Sequence, residues 1–155
     1  MSANAPPRQS GIVLLEALIA ILIFSLGILA VVGLQAVAVK QVSDARYRSD
    51  AALLANQLLG TMWVGDRTAA ALQTSYNSPQ GAGYLAWLGN ASTPGTVAGT
   101  LPGITTSSNL PTVVVDAAGT VTVTLYWIAP SDNQTTQAAG TPANLHNYVA
   151  IAQIK

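Results

Sequence analysis

The chain has 155 residues, half of them apolar, with six basic and six acidic side chains, a net charge of zero and no cysteine. That length has room for one modest domain, and the lack of cysteine excludes a disulfide framework and thiolate metal sites. Because no basic cluster exceeds the pair Arg46 and Arg48, a dedicated nucleic-acid surface is not indicated.

Residues 1–11, MSANAPPRQSG, are polar, hold two prolines and Arg8, and stop abruptly at an apolar run. Residues 17–34 carry no charge, and Ser25 is their only clearly polar side chain. As a helix these roughly 18 residues cover about 27 Å, close to the ~30 Å of a bilayer's hydrocarbon core. The uncharged stretch continues through Gln35 to Val39, so residues 12–39 read as a membrane segment. A secretory signal would place a shorter core, of about 7 to 15 residues, before a small-residue cleavage site. Here the small residues Ala36 and Ala38 lie at the far end of a longer run, which is therefore kept. Arg8 stands on one side, and Lys40, Arg46 and Arg48 on the other, so charge bias gives only a weak orientation signal.

One carboxylate, Glu16, sits near the start of this run. An ionised acid at the centre of a membrane helix costs about 2.5 to 3.5 kcal/mol on the insertion scale, so it needs an answer. The residues alone leave two: headgroup depth with access to water, or a cation brought to it.

Past Lys40 the helical signal becomes one-sided. Tyr47, Ala51, Leu54, Ala55, Leu58 and Met62 recur at steps of three and four, whereas Arg46, Ser49, Asp50, Asn56 and Gln57 fall largely elsewhere. The spacing predicts one helix over 12–64, apolar all round in its first half and amphipathic in its second. Gly27, Gly33 and Gly60 each weaken it by about 1 kcal/mol relative to Ala. Gly65 and Asp66 interrupt the pattern, and TAAALQTS adds a further turn or two. The stretch 76–111, rich in Gly, Pro, Ser and Thr, reads as a long irregular connection, with YLAWL at 84–88 docking onto a core through Tyr84 and Trp87.

The rest alternates in steps of two. TVVV at 112–115, a turn DAAG, and TVTVTLYWI at 120–128 predict a hairpin with Val121, Val123 and Leu125 on one face. A polar loop over 129–146 leads to NYVAIAQI at 147–154, a third antiparallel strand. The amphipathic half-helix supplies the layer that covers this sheet, which makes the class α+β.

SG/IVLLEALIAILIFSLGILAVVGLQ resembles the N-terminus of type IV prepilins: a short basic leader ending in Gly, an apolar segment, and Glu at the fifth place after that Gly. The continuation to Met62 is similar to minor pilins of the PilV type. The resemblance covers residues 8 to about 62. Ile12 stands where the family usually has Phe, and the cysteine pair that closes a C-terminal loop in many pilins is missing. It implies a pilin fold in four parts: a leader over 1–11, a membrane and polymerisation half-helix over 12–39, a periplasmic amphipathic helix over 40–72, and a loop-rich antiparallel β domain over 73–155. It further implies that prepilin peptidase cuts between Gly11 and Ile12 and methylates the new amine. The subunit would then leave the inner membrane through the pilus assembly machinery and join other minor and major pilins in a fibre at the cell surface, affecting adhesion and twitching motility. Tyr47, Leu54, Leu58 and Met62 would pack the helix on its sheet.

Beside the resemblance, the physics of Glu16 is simple. A cut after Gly11 creates an ammonium four residues away on the same helix face. The helix N-terminus favours the carboxylate by about 0.3 to 1 kcal/mol, less than its burial cost, so an amine from an adjacent helix would complete the pairing and fix subunit register.

Enzyme chemistry has little to stand on. His146 is the only histidine, no catalytic or phosphate-loop motif is present, and no cofactor or metal is expected. Asp132 and Asn133 supply two oxygen donors, short of the six to eight that calcium takes. Asn90 and Asn133 fit N-x-[ST] and mark exposed loops. The competing expectations are a minor pseudopilin of type II secretion, with the same leader and spine, and a single-pass anchored module that binds a ligand through 76–111 and 129–146 without polymerising.

Overall fold

A computed structural model describes residues 10–104, 109–130 and 145–155. The elements run α1 (Ser10–Val64), α2 (Ala69–Tyr76), α3 (Ala82–Leu88), α4 (Val97–Thr100), β1 (Thr112–Val115), β2 (Thr120–Trp127) and β3 (His146–Gln153). One long apolar helix at the N-terminus and a three-stranded antiparallel sheet in the order β1-β2-β3 make an α+β layout. The chain divides into two compact units, Met1–Gln41 and Val42–Lys155, and α1 contributes to both. The first nine residues of the leader, and the loop pair Asp132 and Asn133, lie outside the described residues.

In the second unit the helix ends where its stripe ends. Ala51, Leu54, Ala55, Leu58 and Met62 are buried, Tyr47 is half-buried, and Leu53, Asn56, Gln57 and Gly60 on the other side are exposed. The buried stripe shares one core with Val113, Val115, Val121, Val123, Leu125 and Trp127 of the sheet. Each large side chain removed from water here contributes about 1.5 to 3 kcal/mol.

Residues 40–72 are not one uninterrupted helix: α1 ends at Val64 and α2 starts at Ala69, the break falling at the Gly65 and Asp66 that interrupt the sequence pattern. After Val64 the Asp66 carboxylate accepts the Thr68 N–H at 2.9 Å, and the Thr68 hydroxyl accepts the Ala71 N–H at 3.4 Å, so a new N-cap starts α2. The same local competition holds the Asp66 carboxyl below its ordinary range, chiefly through the Thr68 backbone donor.

The connection over 76–111 is not irregular either: it holds α3 and α4. Helix α3 is too short to show a period, and Tyr84 and Trp87, three residues apart, fix it from outside. The buried Tyr84 phenol donates to the Pro111 carbonyl at 2.8 Å, and the Trp87 indole N–H donates to the Leu54 carbonyl of α1 at 3.0 Å. Burial raises the Tyr84 phenol above its ordinary value, which keeps its proton on the oxygen that donates.

Strands β1 and β2 form the expected hairpin, with Val113 opposite Val123 and Val115 opposite Val121. The outer edge of β1 is closed by side chains and backbone from the α2–α3 segment. Ser78 exchanges hydrogen bonds with the backbone of Val113, Asn77 accepts the Val115 N–H at 2.8 Å, and Gln73 donates to the Val115 carbonyl at 3.1 Å. An edge so capped is not available to another strand. Strand β3 turns its small residues inward: Ala150 and Ala152 pair with Val123 and Val121, while Val149 and Ile151 face outward, Ile151 being 69% exposed.

Candidate assembly surface on the N-terminal helix

From Ile12 to Gln41 every side chain of α1 is exposed. Phe24, Leu29 and Leu34 are about 70% exposed. A surface of this length and composition fits a bilayer or other apolar helices and not water. The one hydroxyl in its middle needs no outside partner, because Ser25 donates to the Leu22 carbonyl at 2.8 Å within the helix.

Glu16 lies in a shallow groove bordered by Ile12, Leu15, Ile19, Ala20 and Ile23. Ile12 is one helical turn before it. The Gly11–Ile12 peptide bond lies within α1.

At 100° per residue the side of α1 that holds Glu16 is mixed: Ala20, Gly27, Ala30 and Ala38 fall within about 40° of it, and so do the exposed Ile12, Ile23 and Leu34.

Leu54, Leu58 and Met62 lie in the core of the second unit, with Tyr47 packed at its margin. His146 stacks on Trp127, ring centroids 5.7 Å apart and planes 12° from parallel, at the start of β3. Asn90 is exposed, and its side chain accepts the Ser92 N–H at 2.9 Å and the Thr93 hydroxyl at 3.0 Å, a local turn. Among the described residues no three acidic, histidine or cysteine side chains gather as a metal site. No family model, curated protein or solved structure matches the chain.

Proposed function

We infer that the chain is a minor subunit of a type IV pilus, of the PilV type. Residues 12–39 of α1 hold it in the inner membrane with the second unit in the periplasm. Prepilin peptidase cuts between Gly11 and Ile12 and methylates the Ile12 amine, and α1 then packs among the helices of other pilins, where the subunit helps to start or cap the fibre. The observation that carries this reading is the exposed apolar length of α1 with a single carboxylate one turn from the residue that cleavage would free.

The energetics support it. A buried charge without a partner costs far more than a paired one, so Glu16 favours the height at which a neighbouring ammonium meets it. The sheet and the short helices have no part in this pairing and remain outside the apolar bundle.

Mass spectrometry of fibres sheared from the native host tests the reading directly. The expected N-terminal peptide begins at N-methylated Ile12; an intact N-terminus with no protein in the fibre fraction would refute it. Glu16→Val is expected to leave membrane insertion unchanged and to lower incorporation into fibres by about tenfold, the equivalent of about 1.4 kcal/mol of lost pairing. Full incorporation of that variant would remove Glu16 from the mechanism.

A further inference from the structure

In the second unit, α1, α3 and the turn before α4 enclose a cleft of about 330 Å³, at the small end of the range for ligand sites. Gln57, Thr61, Tyr76, Ala86, Trp87 and Thr96 form most of its wall, and none of its lining residues is acidic, basic or histidine. An ionic ligand would meet no opposite charge there and would lose hydration without replacement.

Its polar groups are specific in a second way. The Thr61 hydroxyl spends its hydrogen on the Leu58 carbonyl at 2.7 Å, and the Thr96 hydroxyl spends its own on the Thr93 carbonyl at 2.7 Å. Thr61 is left with an oxygen that can only accept, whereas the Thr96 oxygen already accepts the Gly99 N–H at 3.4 Å as the N-cap of α4. The Gln57 amide and the Tyr76 phenol make no hydrogen bond to the described residues, and each offers both a donor and an acceptor. A ligand carrying only carbonyl or ether oxygens would give Thr61 no donor. One with several hydroxyls, each donor and acceptor at once, answers Thr61, Gln57 and Tyr76 together.

The apolar wall has a flat part. Gly83 lets the Tyr76 ring lie against the backbone of α3, for a Cβ there would run into that ring. The half-buried Tyr76 ring and the margin of the buried Trp87 line the same wall, an apolar aromatic surface for the C–H side of a saturated ring. From this combination of no charge, a fixed acceptor on Thr61, a free amide and phenol, and an aromatic wall, we propose that the cleft binds a neutral pyranose, the uncharged end of a glycan. The site lies wholly within Val42–Lys155.

The experiment is a neutral and sialylated oligosaccharide array probed with the full chain in a zwitterionic detergent, because sugar-headed detergents would compete. Hits are followed by titration of tryptophan fluorescence with the free sugar. At least one neutral glycan is expected to bind saturably. Gln57→Ala, at an exposed helix position where Ala is well tolerated, is expected to weaken it about tenfold, and Ala86→Trp, which fills the cleft from its exposed rim, to abolish it. Melting temperatures equal to that of the parent establish that both variants fold; if Ala86→Trp does not, Gln57→Ala alone decides. No neutral glycan bound at millimolar concentration, a preference for sialylated over neutral ends, or binding unchanged in Gln57→Ala would each overturn the proposal.

Discussion

Gly119 closes the hairpin and touches the end of the last strand, so a single methyl group placed there probes both. Its φ is +80°, a left-handed conformation that costs an L-residue about 1 to 2 kcal/mol. A Cβ at this position would also stand 2.5 Å from the Ile154 carbonyl oxygen, which is backbone and cannot swing away. Relief requires Ile154 to move, and the Ile154 N–H that donates to the Gly119 carbonyl at 2.9 Å moves with it, at a further cost of about 1 to 3 kcal/mol. Gly119→Ala is therefore expected to destabilise the second unit by about 2 to 5 kcal/mol. Gly95 supplies the control: its φ is +78°, and nothing lies within 4 Å of where its Cβ would be. Gly95→Ala should cost only the backbone term, about 1 to 2 kcal/mol. At roughly 2 to 4 °C per kcal/mol for a chain of this size, the two variants should melt about 2 to 12 °C apart, Gly119→Ala the lower. Near-UV circular dichroism of the detergent-solubilised chain, which reports its three tryptophans, reads the difference. Equal melting of the two variants would refute the contact between the turn and Ile154.

Leu58→Ala, at a side chain 2% exposed, is expected to cost about 2 to 5 kcal/mol, whereas Leu53→Ala on the open side of the same helix should stay within about 0.5 kcal/mol; the same melts compare them. Asp116 accepts N–H groups from Thr120 and Ala118 at 2.7 and 2.8 Å, and the Thr120 donor is the main cause that holds its carboxyl below the ordinary value of 3.8. Its folded pKa is depressed, so its contribution is present above that ordinary value and is lost as pH falls through the folded one. The parent should lose more stability than Asp116→Asn on acidification below about pH 4, and parallel pH profiles would count against the turn.

Much of the architecture is written in local pattern. The exposed membrane-length run, the buried stripe through Leu54, Leu58 and Met62, and the alternation of Val121, Val123 and Leu125 each follow from the repeat of one element, which a single segment displays by itself. The spacing of Glu16 and Ile12 is of the same kind, one turn of one helix.

The rest of the architecture depends on contacts between segments distant in sequence. Helices α3 and α4 are too short to be stable alone, and α3 forms where Tyr84 and Trp87 find acceptors on Pro111 and Leu54. Strand β3 presents alanines to the core and leaves Ile151 outside, the reverse of a ranking by hydrophobicity, because pairing with β2 fixes which side each residue faces and a one-residue slip would turn them all over. The cleft is of the same kind: Gln57, Tyr76, Trp87 and Thr96 carry no joint pattern along the chain, and packing alone brings their polar groups to one wall. Periodicity is a property of one element and can be read from it, whereas a site made by several elements exists only once they have packed.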